Sequence, residues 1–348
     1  MMNLSSIKKR FVLASLMMCS GAAYADDINI YTWEDYFSDD IIAEFEQQTG
    51  HKITLTYYDS EPDRDNLLLS EQAKNFNIVL IDSLMLGINN SKQPMYRFSE
   101  TSMPSISNHN PKWRQACGDV GIPYAKGTIG IAYRESVSKT PITSWSQLFT
   151  PPAEHQNRTL MIKDNLDTAA VALIANNLPP FSENKDDLKV AFDTLKQQEP
   201  YLLSYQYLLT HTAINQDKSR ASLGMAYSGD IASITKNSGQ TDWKYVVPDE
   251  GTLFWVDCLA IPFEENATEA TLSFLNYIND PQVAIAVAEE ILFSTTNDAA
   301  VKLGSESYLS DPDLFISSDI QARSSFYQPV SDESMLLRQR MNNLLKDK

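Results

Sequence analysis

The sequence predicts an α/β protein with mostly parallel sheets, organised as two domains. Segments with the pattern of short strands alternate with amphipathic helical segments along the chain, which is typical of α/β proteins. The chain has 348 residues, more than one hydrophobic core usually supports, so two domains are expected. No Gly/Ser-rich linker and no run of like charges divides the sequence. We therefore expect lobes joined by strands that cross between them.

The strand–helix alternation is clearest at the start of the chain. In order, the pattern predicts a buried strand at 28–31, a helix from the N-cap Ser38 to Gly50, a strand at 52–57, a helix starting at Ser60-x-x-Asp63 and a strand at 77–81. The rhythm recurs as strands or helices at 159–162, 166–176, 188–197, 222–227 and 243–247. A late strand at 259–262 precedes helices at 267–278 and 283–291.

The first 25 residues are predicted to be a cleaved secretory signal peptide. Residues 8–10 (KKR) are positive, residues 11–18 form a short apolar core, and residues 23–25 (AYA) form a cleavage site. Cys19 raises the alternative of a lipoprotein, but the bulky Met18 precedes it where a small residue is normal. We expect export to a bacterial periplasm.

The charge balance is acidic, with 45 Asp and Glu against 28 Lys and Arg and a net charge of −17. Loss of residues 1–25 removes three positive charges and no acidic residue, which leaves −20. This balance argues against nucleic acid as a partner and favours cationic ligands. Cys117 and Cys258 then remain, and the sequence leaves open whether they form a disulfide or are two buried thiols.

Motifs of enzymatic chemistry are missing from the sequence. There is no G-x-S-x-G, H-E-x-x-H, C-x-x-C, Walker A or G-x-G-x-x-G motif. The four histidines are scattered, and none forms a pair at metal-ligand spacing. We therefore expect a binding protein without a catalytic residue, cofactor or metal ion.

Aromatic residues and carboxylates occur together at predicted strand ends. The clusters are Trp33-Glu34-Asp35-Tyr36, Asp82-Ser83, Asp164 with Asp167, Tyr227-Ser228-Gly229-Asp230 and Phe254-Trp255-Val256-Asp257. In open α/β sheets ligands bind beyond the carboxyl ends of strands, where several of these clusters are predicted.

This mixture of residues suits an aliphatic polyamine. Carboxylates pair with its ammonium groups, while aromatic rings cover its methylenes and attract cations by about 0.5–2 kcal/mol each. Two other sites would use similar residues, namely an aromatic platform for an oligosaccharide and a carboxylate metal site. A core aromatic beside a solvated acid is the simplest reading of any single cluster.

Several stretches of the chain resemble the periplasmic polyamine-binding proteins of the spermidine/putrescine type, and the whole is most similar to the norspermidine-sensing branch. They include IYTWEDYFSDDIIAEFEQQTGHKI, GIPYAKGTIGIAYR, LGMAYSGD, PDEGTLFWVDCLAIP and LNYINDPQVAIAVAEEI, and they are collinear over nearly the whole chain after residue 25.

The resemblance implies a two-lobed periplasmic binding protein fold of type II, with the ligand between the lobes. Each lobe would be a mixed, mostly parallel sheet flanked by helices. The N-terminal lobe would comprise residues 26–134 and 258–304, and the C-terminal lobe residues 135–257 and 305–348.

The resemblance also implies the ligand-binding residues. They are Trp33, Asp35, Tyr36, Asp82, Ser83, Asp164, Asp167, Tyr227, Asp230, Trp255, Asp257 and Gln328. Carboxylates would bind amines, whereas Trp33, Tyr36, Tyr227 and Trp255 would wall the ligand. Asp82 stands where Ser is more usual in the family and Tyr227 where Trp is common. The run 163–167 (KDNLD) leaves the register of the far acid pair open.

The implied partners are a polyamine, such as spermidine or norspermidine, and a membrane protein that recognises the closed form. That protein would be an inner-membrane permease, if the chain serves import, or a membrane-bound sensor, if it serves signalling. We expect a monomer. The alternatives from other classes are a periplasmic hydrolase and a receptor for another small solute.

Overall fold

The computed structural model describes residues 26–34, 36–58 and 61–346. The predicted signal peptide, residues 1–25, lies outside the described residues. The strands are β1 (Asp27–Thr32), β2 (Lys52–Tyr57), β3 (Ile78–Asp82), β4 (Ile122–Arg134), β5 (Thr159–Met161), β6 (Leu202–Tyr205), β7 (Leu223–Tyr227), β8 (Trp243–Val246), β9 (Leu253–Ala260), β10 (Ser294–Thr295) and β11 (Ser325–Phe326).

α-Helices occur in both lobes. They are α1 (Asp39–Thr49), α2 (Glu61–Leu68), α3 (Ser83–Lys92), α4 (Pro111–Cys117), α5 (Ser146–Phe149), α6 (Asp167–Ala175), α7 (Lys185–Gln198), α8 (Leu208–Asn215), α9 (Asp230–Ser238), α10 (Glu269–Ile278), α11 (Pro281–Ile291), α12 (Asp298–Val301), α13 (Glu306–Leu309), α14 (Ser318–Arg323) and α15 (Asp332–Leu344). Among the described residues, no helix is long and apolar enough to cross a membrane.

Local signals in the sequence set the limits of the first helix. The Ser38 hydroxyl accepts a hydrogen bond from the Ile41 amide at the start of α1. Gly50 ends the helix with φ +81°, a left-handed conformation that glycine adopts without steric cost. The predicted helix from Ser38 to Gly50 is therefore confirmed.

The strands form a mixed sheet in the order β2-β1-β3-β9-β4-β7-β5-β6, with β8 and β10 on β4 and β11 on β9. Pairs among the outer strands, such as β1 with β2 and β5 with β6, are parallel. Every antiparallel pair involves β4 or β9. These two strands make the antiparallel content larger than the helix–strand alternation alone predicts.

β4 runs through both halves of the molecule. Its first part, Ile122 to Thr128, pairs with β9, and its second part, Ile129 to Tyr133, pairs with β7. A hydrophobic core lies on each side of this change of partner. In one core Ile30 and Leu80 pack with the helix residue Phe274, and in the other Ile131 and Leu223 pack with Val171. The molecule is thus two-lobed, with β4 and β9 between the lobes.

The late strand differs from its prediction. The sequence places a strand at 259–262 with the Phe254–Asp257 cluster ahead of it, but β9 already begins at Leu253. Residues 254–257 therefore alternate between the two faces of a strand, as the period of two requires. Trp255 and Asp257 lie on one face, and Phe254 and Val256 lie on the other.

Cys117 and Cys258 form a disulfide, with their Cα atoms 5.9 Å apart. The bond ties the end of α4 to β9, and both residues are buried. Because the two cysteines are 141 residues apart, the bond restricts a long loop of the unfolded chain. Of the two possibilities left open by the sequence, the structure supports the disulfide.

Replacing both cysteines (Cys117→Ala with Cys258→Ala) should lower the free energy of unfolding by about 2–5 kcal/mol, because the unfolded chain regains loop entropy. Urea unfolding of the variant and of the oxidised and reduced wild type measures the effect. An unfolding midpoint of the oxidised wild type equal to that of the variant would show that the bond contributes nothing to stability.

Candidate ligand-binding cleft

Asp257 lies at the junction of the two lobes. Its backbone pairs with Asp82 of β3 on one side and with Ala125 of β4 on the other. The side chain is only 8% exposed, and its Oδ2 accepts a hydrogen bond of 3.0 Å from the Tyr36 hydroxyl. Burial is the main cause that raises the pKa of Asp257 to about 7, and the charge of Asp82 acts in the same direction. Among the residues that the structure describes, no cationic side chain thus lies at hydrogen-bonding distance from the Asp257 carboxylate.

Asp82 has a different environment, because both of its carboxylate oxygens already have partners. Oδ1 accepts the Met85 amide and caps α3, while Oδ2 accepts the guanidinium Nη2 of Arg64 at 2.8 Å. Arg64 is 1% exposed and also donates to Asp65. Its guanidinium lies 5.6 Å from the centre of the Tyr58 ring. One of the predicted amine-binding acids therefore carries a resident cation.

Two tyrosines donate hydrogen bonds to the carboxylate of Asp167. Tyr227 donates its hydroxyl to Oδ2 at 2.5 Å, and Tyr327 donates its own to Oδ1 at 2.6 Å. The side chain is buried, and this burial, with the charge of Asp164, raises the pKa of Asp167 to about 7 despite the two hydrogen bonds, which act in the opposite direction.

Asp164 has mainly a local role at the same turn. Its Oδ1 accepts the backbone amides of Leu166 and Asp167 at 2.6 and 2.7 Å. The side-chain amide of Asn342 in α15 donates a hydrogen bond to the side-chain oxygen of Asn165. Of the run 163–167, the structure therefore brings Asp167 furthest into the site.

Asp230 follows β7 and begins α9. Its Oδ2 accepts the Tyr207 hydroxyl at 2.7 Å and the Tyr227 amide at 2.8 Å. Burial raises its pKa to about 7, although both hydrogen bonds act to lower it. The charge of Asp230 also raises the pKa of Tyr36 from across the cleft. Two carboxylates, those of Asp257 and Asp230, thus act on the Tyr36 hydroxyl.

Glu61, at the start of α2, is a site residue that sequence reasoning missed. Desolvation by the surrounding protein, followed by the charge of Asp82, raises the pKa of the Glu61 carboxyl. The charges of Asp164 and Asp167 act in the same direction. Its side chain is nevertheless reached by water. Acids from two lobes act on one carboxylate, so they face a common space. The only sequence signal was the helix start at Ser60-x-x-Asp63, which suggests a cap rather than a ligand.

Aromatic rings line this acidic space. Trp33 packs on Tyr58 with their ring centres 4.4 Å apart. Trp255 donates from Nε1 to the Thr128 carbonyl at 3.3 Å. Gly127 makes room for it, because a Cβ at that position would lie 2.2 Å from Trp255 Cζ2. Trp33, Trp255, Tyr36 and Tyr227 are each half-buried, so they remain accessible as walls.

The structure brings several of the predicted residues into contact in pairs. Tyr36 joins Asp257, Tyr227 joins Asp167, and Asp230 approaches Tyr36, as described above. Ser83 is the first residue of α3, next to Asp82. Gln328 is exposed, and its neighbour Tyr327 is the residue that contacts Asp167. Asp35 lies outside the described residues.

The chemistry of the cleft suits an extended cation. Burial raises the pKa values of Asp167, Asp230 and Asp257, a neighbouring acid adds to the effect at Asp167 and Asp257, and Arg64 pairs with Asp82 alone among the predicted binding acids. Within the described part of the chain, no group of three or more His, Cys, Asp or Glu side chains is arranged to hold a metal ion.

These raised pKa values make stability depend on pH. Asp167, Asp230 and Asp257 have pKa values of about 7 in the folded protein, above the ordinary value of about 4. The folded state therefore binds more protons than the unfolded chain between about pH 4 and pH 7, and its stability falls as the pH rises through this window.

We predict that Asp257→Asn raises the free energy of unfolding at about pH 8, by on the order of 3 kcal/mol, and has little effect near pH 4. Urea unfolding across this pH range, without added ligand, measures the difference. Glu34→Gln is the matched control, because Glu34 is an exposed acid. If both variants show the same pH profile as the wild type, Asp257 is not under electrostatic stress.

Comparison with known proteins identifies the family of this chain. The model of bacterial extracellular solute-binding proteins matches residues 40–316. A norspermidine sensor of Vibrio cholerae is 29% identical over 96% of this chain and 93% of its own length. The spermidine/putrescine-binding periplasmic protein of Escherichia coli is 26% identical over 92% of this chain and 96% of its own length.

Solved structures agree on the fold. A spermidine/putrescine ABC transporter substrate-binding protein from Streptococcus pneumoniae superposes with a TM-score of 0.78 at 18% identity, covering 91% of this chain and 100% of the other. The predicted two-lobed binding-protein fold is confirmed, and the family consists of solute-binding proteins rather than hydrolases. The chain belongs to the bacterial extracellular solute-binding protein family.

Proposed function

We propose that this protein is a periplasmic receptor that captures a triamine, spermidine or norspermidine, between its lobes. One observation carries the proposal. Carboxylates from both lobes converge on a single cleft whose walls are aromatic, and Arg64 is the resident cation described there. The acids are Glu61, Asp82, Asp164, Asp167, Asp230 and Asp257.

Simple electrostatics explains why a polyamine suits this space. Each ammonium group that enters pairs with buried carboxylates and so offsets the cost of keeping their charge away from water. The methylenes between the ammonium groups need apolar contact, which flat rings supply together with cation–π attraction. A sugar would meet acids whose charge it cannot neutralise.

The geometry suggests two ends for the ligand. At one end Asp257, aligned by Tyr36, would bind an ammonium, and Asp230 lies close by. At the other end Asp167, held by Tyr227 and Tyr327, would bind a second ammonium together with Glu61. Trp33 and Trp255 would wall the chain between them. Asp35, Ser83 and Gln328 stay proposed contacts.

The relatives support a polyamine in particular. One is named a norspermidine sensor, and several are named spermidine/putrescine-binding proteins. Ligand contacts from both lobes would favour the closed form by differential affinity. We propose lobes of 26–134 with 258–304 and 135–257 with 305–348, which meet along β4 and β9.

We also propose that the protein is exported by a cleaved signal peptide and acts as a monomer. The closed form would then dock on a membrane partner. The sensor among the relatives supports a membrane-bound regulator, and the transporter proteins support an inner-membrane permease. Loss of triamine uptake on deletion of the gene would assign the permease. Unchanged uptake with a lost transcriptional or behavioural response to triamines would assign the sensor.

Asp257→Ala should weaken spermidine binding by more than about tenfold, because it removes the buried partner of an ammonium. Glu34→Ala is the matched control and should have a smaller effect, since Glu34 is exposed next to Trp33. Calorimetric titration with di-, tri- and tetra-amines measures both. If triamines give no heat and no thermal stabilisation while sugars or amino acids bind, the proposed ligand class is wrong.

Triamine affinity should rise between about pH 5.5 and pH 8. Ammonium groups bind ionised carboxylates, and Asp167, Asp230 and Asp257 are half-protonated near pH 7 without ligand. The terminal ammonium groups of the triamine stay protonated over this range, so the carboxylates that pair with them release their protons on binding. Titration near pH 6.5 in buffers of different ionisation enthalpy counts the protons released. An affinity that is flat or falls over this range contradicts the proposed pairing.

A further inference from the structure

A second pocket lies behind the cleft, on the opposite face of the crossing strands. Thr128 and Phe254 are paired residues of β4 and β9, as are Gly127 and Trp255. Paired residues share a face and neighbours along a strand alternate. Trp255 therefore faces the cleft, whereas Phe254, with Lys126 two residues before Thr128, faces the other way. Residues 314–316 and Gln321 line this hinge pocket, which is open to solvent and has a cavity volume of about 70 Å³.

Two lysines lie at the hinge pocket: Lys126 lines it, and Lys112 contacts two of its lining rings. The ammonium of Lys126 lies 5.2 Å from the centre of the Trp113 ring and 5.4 Å from that of Phe315. The ammonium of Lys112 lies 4.9 Å from the centre of the same Trp113 ring and 4.6 Å from that of Phe254. Both ammonium groups thus lie close to one indole.

No carboxylate neutralises these lysines. Across residues 26–34, 36–58 and 61–346, neither Lys112 nor Lys126 lies within 4.0 Å of an acidic oxygen. Lys126 donates a hydrogen bond to the Ser294 hydroxyl. The nearby acid Asp298 accepts a hydrogen bond from Asn110 and acts on the charge of Lys126 only from a distance. Burial, together with the charge of Lys112, lowers the pKa of Lys126 to about 8, although the charge of Asp298 acts to raise it. A buried, unpaired ammonium is costly, and lysines inside proteins normally have a charged partner.

The charge of the whole chain makes this arrangement more informative. The protein has 45 acidic residues. None of those that the structure describes forms an ion pair with Lys112 or Lys126. An anion in the hinge pocket would offset the desolvation of Lys126 and pair with the exposed Lys112, and Trp113, Phe254 and Phe315 would cover an apolar body attached to that anion.

We propose that the hinge pocket is a second binding site, for a small organic carboxylate with an aromatic or aliphatic body. Its carboxylate lies between Lys126 and Lys112, and its body packs against Trp113, Phe254 and Phe315. The ligand is opposite in charge to that of the cleft, and the site shares no side chain with the cleft. The inference therefore stands or falls independently of the polyamine proposal.

Titration of the purified protein with benzoate tests the site, read by thermal unfolding and calorimetry. Benzoate should give saturable stabilisation and the neutral benzyl alcohol should give none, because both lysines recognise the charge. Lys126→Met should weaken benzoate binding by at least about tenfold. Lys244→Met is the matched control, because Lys244 is an exposed lysine of β8, and it should bind benzoate as the wild type does.

Lys112→Met provides a second variant, since Lys112 is exposed and its replacement leaves the core intact. It should also weaken benzoate binding, while its far-ultraviolet circular dichroism stays that of the wild type. The proposal is overturned if benzoate does not bind, or if it binds Lys126→Met and Lys112→Met as tightly as the wild type. Stabilisation by inorganic phosphate alone, without benzoate binding, overturns the organic carboxylate.

Discussion

Burial of carboxylates without a counter-charge is the physical constraint on which the cleft depends. Asp167 of α6, Asp230 of α9 and Asp257 of β9 are held in a space that excludes much of the water, and their pKa values rise in consequence. Hydrogen bonds from tyrosines lower the cost without removing it. Tyr36, Tyr207, Tyr227 and Tyr327 each donate to one of these acids. The folded protein thus stores an unfavourable charge distribution that a cation relieves.

Arg64 shows how the protein limits repulsion between carboxylates. Its guanidinium is buried, and it neutralises Asp82, the acid that stands directly beside Asp257 on the neighbouring strand. Without that cation, two adjacent carboxylates would face one cleft from paired positions of β3 and β9. The same ion pair removes Asp82 as a free partner for a ligand. A fixed internal cation therefore shapes which end of the cleft a ligand ammonium can use.

The crossing strands β4 and β9 organise the rest of the molecule. Their antiparallel pairing spans the junction between the two cores, and the disulfide anchors β9 to α4 beside it. Because side chains alternate along these strands, one face presents Trp255 and Asp257 to the cleft. The opposite face presents Phe254 and Lys126 to the hinge pocket, so the charge of the two sites is opposite although they share a backbone.

Local features could be predicted from the amino-acid order alone. The alternation of strands and helices, the Ser38 cap, the Gly50 helix end and the acidic–aromatic clusters all depend on residues close together in the chain. Collinear motifs also indicated the family and led to the predicted set of ligand-binding residues. Contacts between distant residues required the folded chain, namely the Cys117–Cys258 bond, the Arg64–Asp82 pair, the place of Glu61 and the hinge pocket. These contacts depend on strand order and register, which bring together residues that no local pattern connects.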